Sequence, residues 1–255
     1  MRVITIPCRT DNYSYLVGPS GSTTVVAVDP CDTQPVLDAL AAHGLELVGI
    51  LNTHHHGDHV GGNLGLLARY PSIPVYAHQS DRGRIPGQTH DVDDGVQVSI
   101  NGLTFQTVFI PGHTRGHVAY ISDGYAFVGD TMFGAGCGRL FEGTAAELNR
   151  SLNQKLARLP DNTRVYFAHE YTASNLRFAV AMEPSNPAIL ARIQRTTELR
   201  QAGQFTTPTT IAVEKQTNPF LRVDEPAIRQ QLGFSPSANA DEVFAALRLA
   251  KDQFK

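Results

Sequence analysis

The chain has 255 residues, a length that fits one large domain or a main domain with a smaller one attached. Its composition is 42% hydrophobic and 18% charged, which excludes a disordered chain, and no apolar run approaches the ~20 residues that a membrane span needs. The formal net charge of −3 argues against a broad basic surface, so we expect neither nucleic acid nor an anionic membrane as a partner.

Strands alternate with a few helices along the first two-thirds of the sequence. Short apolar or alternating runs predict strands at residues 3–6, 13–17, 24–28, 47–51, 75–77, 96–100, 103–107, 118–121, 125–128 and 165–168. One helix is predicted between Asp32, a potential N-cap, and Gly44, and another around residues 60–67. A capping box, Thr-Ala-Ala-Glu, opens a third predicted helix over residues 144–160. This order of elements predicts a mixed α/β domain.

The character of the sequence changes after residue 172. Helices are predicted over residues 186–203 and 239–250, and no clear strand pattern follows. We therefore predict two domains, an α/β domain over residues 1–172 and a smaller helical domain over residues 173–255.

The cysteines and the N-terminal residues bear on the cellular compartment. Cys8, Cys31 and Cys137 are widely spaced and form no C-x-x-C motif, so they predict no disulfide framework and favour a reducing compartment. The first residues lack the apolar core of a secretory signal and the acid-poor, serine-rich composition of a transit peptide. We expect a cytoplasmic protein, with a monomer as the default state.

The segment Thr-His-His-His-Gly-Asp-His, residues 53–59, follows a predicted buried strand directly. In an extended chain, residues two apart face the same way, so His54 and His56 can converge on one cation. Asp58 and His59 lie at a helix start and can serve a second cation. Imidazole and carboxylate together suit zinc, iron or manganese rather than calcium. An expression tag or a surface metal scavenger would not be expected directly after a buried strand.

Further titratable side chains follow later predicted strands, where α/β sheets usually present their chemistry. They are His113, His117, Asp130 and His169. Alone, Asp130 would be interpreted as part of a turn and His169 as a hydrogen-bonded core histidine. Their recurrence at strand ends favours a shared metal site instead, although spacing does not decide between His113 and His117.

The order and spacing of these motifs over residues 1–172 resemble the metallo-β-lactamase superfamily. The resemblance implies a four-layer αββα sandwich with two metal ions at one edge. It implies that His117 and Asp29 support the ligands. It also implies the ligands themselves: His54, His56 and His113 for the first ion, Asp58, His59 and His169 for the second, and Asp130 for both.

Within that superfamily the chain is similar to the glyoxalase II family, the hydroxyacylglutathione hydrolases, over nearly its whole length. Many hydrolases share the metal motif, so the motifs that follow it are the ones that point to the glyoxalase II family. They are Gly129 to Phe133, Gly136 to Thr144, His169 to Thr172, Asn218 to Arg222, and Lys251 to Phe254.

In that family the helical domain closes over glutathione, and the positions here that match its contacts are Arg139, Tyr171, Arg248 and Lys251. Arg248 and Lys251 lie three apart on the last predicted helix and share a face, where two cations suit the carboxylates of an anionic peptide. From the residues alone, a solvated helix terminus is the alternative. Phe141 stands where some members have tyrosine, so one substrate hydrogen bond of those members is not expected here.

The resemblance implies hydrolysis of S-2-hydroxyacylglutathione thioesters, such as S-D-lactoylglutathione, to glutathione and a 2-hydroxy acid, the second step of methylglyoxal detoxification. Asp130 and Asp58 are expected to act in catalysis, with a hydroxide on two divalent ions, zinc first and iron or manganese as alternatives. The thiolate leaving group has a pKa of about 8.5 and needs no strong general acid. Cys137 is therefore interpreted as structural.

Other functions remain as alternatives at this point. A glutathione persulfide dioxygenase resembles this fold but uses a single iron. A non-catalytic metal-binding module would retain the fold without the reaction, because one fold hosts many chemistries.

Overall fold

The computed structural model describes residues 1–254 and divides the chain into two compact units. The N-terminal unit comprises residues 1–109 and 116–129, and the C-terminal unit comprises residues 110–115 and the chain from residue 130 onward. The predicted domain boundary after residue 172 rests on the change from alternating strands to helices in the sequence, and it stays a prediction.

The strands of the N-terminal unit form a mixed sheet and an antiparallel sheet. The strands are β1 (Arg2–Cys8), β2 (Asn12–Gly18), β3 (Thr24–Val28), β4 (Glu46–Leu51), β5 (Val75–His78), β6 (His90–Val92), β7 (Gln97–Ile100), β8 (Leu103–Phe109), β9 (Val118–Ser122) and β10 (Tyr125–Gly129). The mixed sheet follows the order β1 to β6 and is parallel from β3 onward, whereas β7 to β10 pair antiparallel with their neighbours in sequence.

Helices cover the mixed sheet through an apolar core. They are α1 (Thr33–His43), α2 (Gly57–Val60) and α3 (Asn63–Arg69). Val36 and Leu66 from these helices are buried in one cluster with Leu16 and Ile50 from the strands. The antiparallel sheet is joined to the mixed sheet by Tyr120, whose hydroxyl donates to the carbonyl of Asn52.

The C-terminal unit is mostly helical. Its elements are β11 (Met132–Phe133), β12 (Gly136–Cys137), α4 (Ala145–Asn149), β13 (Arg164–Phe167), α5 (Thr172–Met182), α6 (Pro187–Gln201), β14 (Thr209–Thr210), α7 (Ile211–Thr217), α8 (Pro226–Gln231) and α9 (Ala240–Gln253). β11 pairs antiparallel with β12, and β13 with β14. Within the described chain, none of the helices combines the length and the apolar character that crossing a membrane requires.

The predicted strands are confirmed, but two predicted helices were wrong in detail. The helix expected over residues 60–67 is broken into α2 and α3, and at the break the Gly62 N–H donates to the Pro30 carbonyl at 2.8 Å. Leu64, expected on its apolar face, is 63% exposed. The capping box of α4 is confirmed, but the α-helix ends at Asn149. The chain continues as a π-helical segment, Arg150–Lys155, and then as a 3₁₀-helix, Leu156–Arg158.

The start of α1 also differs from the expectation. Asp32 occupies the N-cap position, but its carboxylate makes no capping hydrogen bond and pairs with Arg9 at 3.1 Å instead. Gly44 ends the helix in the left-handed conformation, as the sequence predicted. The short strands β6, β11, β12 and β14 and the helices α5, α7 and α8 were not predicted.

Candidate metal centre and substrate cavity

The histidine-rich segment of the N-terminal unit, residues 53–59, begins two residues after the end of β4 and is held by Asp29, which follows β3 directly. The Asp29 carboxylate accepts hydrogen bonds from the Thr53 backbone N–H and from the Thr53 hydroxyl, each at 2.7 Å. β3 and β4 are parallel neighbours in which Val28 pairs with Leu51, so their carboxyl ends lie side by side. The two strand ends therefore set the geometry of this segment.

Asp29 also fixes the proton on the ring of His59. A carboxylate oxygen of Asp29 lies 3.0 Å from His59 Nδ1 and can only accept, so the ring donates through Nδ1. The lone pair is then on Nε2, which lies 3.8 Å from Oδ2 of Asp58. Hydrogen bonds of this kind orient metal-binding histidines and fix their tautomer.

His54 and His56 direct ring nitrogens to the same point. His54 Nδ1 lies 3.1 Å from the Thr53 hydroxyl oxygen, and because that hydroxyl donates to Asp29, His54 Nδ1 is the donor. The lone pair of His54 is therefore on Nε2, which lies 3.0 Å from Nδ1 of His56. Two imidazole nitrogens that converge in this way are arranged as a pair of metal ligands.

His55, between these two residues, contacts a different group. Its Nδ1 lies 3.3 Å from the buried carboxylate of Asp81, and its Nε2 contacts Arg84. Arg84 in turn lies 3.3 Å from Asp81. This network joins the middle of the histidine-rich segment to the turn after β5.

Asp58 and His117 complete the surroundings in the N-terminal unit. Asn12 donates from Nδ2 to Oδ2 of Asp58 at 3.0 Å, so the carboxylate is held by a neighbouring strand. The buried ring of His117 stacks on His54, with 4.6 Å between centroids and 18° between planes. His117 thus supports His54 by packing.

In the C-terminal unit, Asp130 lies between two imidazole rings. Its Oδ2 is 3.5 Å from Nε2 of His113 and 3.4 Å from Nε2 of His169. His113 donates through Nδ1 to the carbonyl oxygen of Arg139 at 2.8 Å, which leaves its lone pair on Nε2. Only glycine fits at position 138, because a Cβ there would overlap the Asp130 carbonyl oxygen and lie 2.8 Å from His113 Nδ1.

The C-terminal unit contains a cavity of about 440 Å³. His113 and Asp130 form part of its wall, and Arg139, Arg248 and Lys251 contribute positive charge to another part. A cavity of this size accommodates a small organic ligand. The cavity therefore combines candidate metal ligands with side chains that suit an anion.

Arg248 and Lys251 differ in how they are held. Arg248 is buried, and its guanidinium donates to the Cys137 carbonyl at 2.9 Å and to Asp252 at 3.0 Å. Lys251 is half-buried, and burial lowers the pKa of its ammonium, as do the neighbouring charges of Arg248, Arg177 and Arg139. Lys251 is thus the less restrained of the two cations.

The remaining predicted substrate contacts also line the cavity. Arg139 is largely exposed and lies 3.8 Å from Asp252. The Tyr171 ring stacks on His169, with 4.9 Å between centroids and 5° between planes. The exposed ring of Phe141 stands edge-on to His113 at 5.2 Å.

The hairpin β11–β12, which we call the cavity hairpin, is held by side chains that are distant in sequence. Asn175 and Asn218 donate to two of its carbonyl oxygens, at 3.1 and 2.9 Å. Glu214 accepts from a hairpin N–H at 2.9 Å and pairs with Arg192 at 2.5 Å. Glu214 is fully buried, so this network fixes a wall of the cavity through a buried charge.

Sequence reasoning missed several of these supporting residues. Asn12, Asp81, Asn175 and Glu214 carry no signal in a single sequence, because each acts on a partner far along the chain. Asn218 lies in a segment that matched the glyoxalase II family, which could have marked it. Burial raises the pKa of Cys137 to about 11, which fits the structural role expected for this thiol.

The donor sets of both units fit divalent metal ions. In the N-terminal unit, hydrogen bonds fix the lone pairs of His54 and His59, and Asn12 holds the Asp58 carboxylate. In the C-terminal unit, the Asp130 carboxylate lies between Nε2 of His113 and Nε2 of His169. Such sets suit zinc, iron and manganese. The chemistry of the donors is that of a metal-binding protein.

Comparisons with known structures agree with this fold. The B3 metallo-β-lactamase BLEG-1 is 25% identical with a TM-score of 0.66, covering 86% of this chain and 99% of that chain. ETHE1 from Myxococcus xanthus matches with a TM-score of 0.68 at 24% identity and 98% coverage of each chain. TTHA1623, solved in a di-iron-bound form, is 26% identical with a TM-score of 0.61, covering 87% of this chain and 100% of that chain.

Family models cover almost the whole sequence. Residues 9–169 match the metallo-β-lactamase superfamily, and residues 170–254 match the hydroxyacylglutathione hydrolase C-terminus. The chain therefore belongs to the metallo-β-lactamase superfamily, and the predicted fold with a helical C-terminal region is confirmed.

Curated relatives identify the family within this superfamily. A protein of Synechococcus sp. (strain JA-3-3Ab) named hydroxyacylglutathione hydrolase is 53% identical over 256 residues, 100% of both chains. One of Synechocystis sp. with the same name is 47% identical over 261 residues, again 100% of both. Within the superfamily, the chain belongs to the hydroxyacylglutathione hydrolase family.

Proposed function

We propose that the protein hydrolyses S-2-hydroxyacylglutathione thioesters, S-D-lactoylglutathione among them, to glutathione and a 2-hydroxy acid. The observation that carries this proposal is a single cavity lined both by His113 and Asp130 and by Arg248 and Lys251. Metal ligands and cations in one cavity fit a substrate that joins a hydrolysable carbonyl to an anionic peptide. The names of the full-length relatives support the same reaction.

The proposal includes two divalent ions, zinc first and iron or manganese as alternatives. The di-iron form of TTHA1623 supports both the number and the iron alternative. Ions of this kind supply a Lewis acid and a water whose pKa is lowered to roughly 7. The proposed ligands are His54, His56, Asp58, His59, His113, Asp130 and His169.

The side chains of the chain would orient the reaction. The Asp130 carboxylate would accept a hydrogen bond from the attacking water, and Asp58 would act in catalysis as part of the proposed ligand set of the N-terminal unit. Asp29 would hold the imidazole of His59 in the orientation that a metal ligand needs. His117 would support His54 in the same way, by stacking on its ring. The departing thiolate is stable near neutral pH, so no strong general acid is required.

The substrate contacts proposed in the C-terminal unit are Arg139, Tyr171, Arg248 and Lys251. Lys251 and Arg139 would pair with glutathione carboxylates, because their charges are the more exposed. Arg248 is buried in the cavity wall, where its guanidinium donates to the Cys137 carbonyl, and it would contribute positive charge to the substrate site from there. Tyr171 would pack against the substrate from its stacked position on His169.

The test measures metals per chain by elemental analysis and follows the loss of thioester absorbance with S-lactoylglutathione. The wild type should contain up to two ions and hydrolyse the thioester. His59→Ala should lose bound metal and lower kcat by about 100-fold or more, since it removes a ligand. A wild type without thioesterase activity at full metal content would overturn the proposal.

A matched control separates ligands from other histidines. His43→Ala removes an exposed histidine at the end of α1 and should leave metal content and kcat unchanged. Arg248→Ala with Lys251→Ala should raise KM more than it lowers kcat, because it removes binding common to the ground and transition states. An unaltered KM would exclude these cations from the site.

The alternative functions are not favoured. The full-length relatives are named as hydrolases, which argues against a persulfide dioxygenase and against a non-catalytic module. Strict dependence on oxygen would select the dioxygenase. A cytoplasmic monomer, with neither nucleic acid nor membrane as a partner, remains our prediction.

A further inference from the structure

Three phenylalanine rings form a row beneath the last helix of the C-terminal unit. Phe220 stacks near Phe178, with 6.2 Å between centroids and 24° between planes. Phe254 stands edge-on to Phe178 at 5.3 Å and 72°. Phe220 and Phe178 are buried, whereas Phe254 is 38% exposed and lines the cavity. We call these three residues the aromatic row.

The two cations of α9 lie along this row. The guanidinium carbon of Arg248 is 5.0 Å from the centroid of Phe220. The ammonium nitrogen of Lys251 is 5.6 Å from the centroid of Phe178 and 5.8 Å from that of Phe254. These distances lie within the range of cation–π attraction, which extends to about 6 Å. Lys251 therefore sits in a corner formed by two rings.

Lys251 needs such support more than Arg248 does. Arg248 is fixed by hydrogen bonds to the Cys137 carbonyl and to Asp252. The lysine ammonium is a point charge on a flexible stem and is repelled by the nearby charges of Arg248, Arg177 and Arg139. Repulsion and burial would both turn the side chain toward bulk water. The attraction of the two rings opposes that movement.

We propose that Phe254 is a positioning residue, whose ring holds the ammonium of Lys251 at the cavity so that it meets a carboxylate of the glutathione moiety. The inference rests on the proposed function, because it assigns glutathione to this cavity. The ring acts through Lys251 and does not itself take part in the reaction.

Phe254 is a better site for the test than its neighbour Phe178. Phe178 lies on α5 and is 1% exposed, so its replacement would disturb the core. Phe254 follows the end of α9 and is partly exposed, and its backbone N–H donates to the Lys251 carbonyl whatever its side chain is. Substitution there should leave the fold intact.

The experiment compares Phe254→Leu, which keeps the apolar volume, with Phe254→Tyr, which keeps the ring. We expect Phe254→Leu to raise KM for S-lactoylglutathione by about threefold to tenfold with little change in kcat. Phe254→Tyr should stay within about twofold of the wild type. The dissociation constant of S-methylglutathione, measured by calorimetry, should change in parallel and reports on binding without turnover.

A double-mutant cycle distinguishes positioning of Lys251 from general support of the helix end. In a Lys251→Met background, Phe254→Leu should have no further effect on KM or on the dissociation constant. Leu249→Ala is the matched control, because Leu249 is 58% exposed on the same helix, and it should leave both constants unchanged.

Distinct results overturn the inference and the proposed function. If the wild type hydrolyses S-lactoylglutathione and Phe254→Leu leaves KM unchanged, the positioning role is wrong and the function stands. An effect of Phe254→Leu that persists in Lys251→Met also overturns the role, since it would not pass through Lys251. A wild type that neither hydrolyses the thioester nor binds S-methylglutathione overturns both.

Discussion

The two units hold their candidate metal ligands and cavity walls by different means. In the N-terminal unit, Asp29 supports Thr53 and His59, which are 24 and 30 positions away and lie at the end of an adjoining parallel strand. In the C-terminal unit, the cavity hairpin is held by side chains 41, 79 and 82 positions away. The ends of strands can be predicted from a sequence, whereas contacts between distant helices and a hairpin cannot.

The largest expected effect tests the support of the cavity hairpin. Glu214→Ala leaves the Arg192 guanidinium buried without its carboxylate partner, which should lower the free energy of unfolding by about 3–5 kcal/mol. Urea denaturation measures the change. Lys215→Ala, next to it, breaks an exposed pair with Asp161 and should cost no more than about 1 kcal/mol. Equal effects of the two substitutions would contradict the role given to Glu214.

The second test addresses the N-terminal unit. Asp29→Ala removes the acceptor that orients His59 and Thr53, so metal affinity and kcat should each fall by about 10–100-fold. Elemental analysis after dialysis and steady-state kinetics measure both. Asp38→Ala, an exposed carboxylate on α1, is the control and should behave as the wild type. Undiminished metal binding in Asp29→Ala would show that the strand ends do not hold the ligands.

A smaller effect is expected at the rim of the C-terminal cavity. Phe141→Tyr adds a hydroxyl to a ring that is exposed beside His113, and one new hydrogen bond to glutathione should lower KM by about twofold to tenfold. Steady-state kinetics with S-lactoylglutathione measure the change, with Phe141→Leu as the variant that gains no donor. A KM that does not fall would mean that this rim position does not reach the substrate.

The last test concerns the Cys137 thiol in the cavity hairpin. Burial raises its pKa from 9.0 to about 11, against the opposing charge of Arg248. Because the folded chain keeps a proton that the unfolded chain releases, the thiol contributes stability below about pH 9 that is lost as the pH rises to about 11. Unfolding free energies measured across this range should fall more steeply in the wild type than in Cys137→Ala. Parallel curves would contradict a buried neutral thiol.

Much of the arrangement of the candidate ligands in the N-terminal unit could be predicted, because these residues follow one strand within a few positions. The extended spacing of His54 and His56 indicated a converging pair, and their nitrogens lie 3.0 Å apart. Spacing could not separate His113 from His117. Their surroundings differ in the structure, since His113 directs Nε2 to Asp130 whereas His117 packs on His54.

The supports of the C-terminal unit could not be predicted in the same way. Glu214 lies on a short helix that was not foreseen, and a glutamate in such a segment usually faces water. Its burial depends on Arg192 and on a hairpin N–H, and neither partner is near it in sequence. The aromatic row could not be predicted for the same reason, because Phe178, Phe220 and Phe254 come from separate parts of the chain.

The hydrogen bonds of Asp29 have a consequence for the order of assembly. A small zinc finger folds only when its metal arrives, because nothing else organises the ligands. Here backbone and side-chain partners already arrange Thr53, His54 and His59. A chelator should therefore remove bound metal and inactivate the protein without unfolding it.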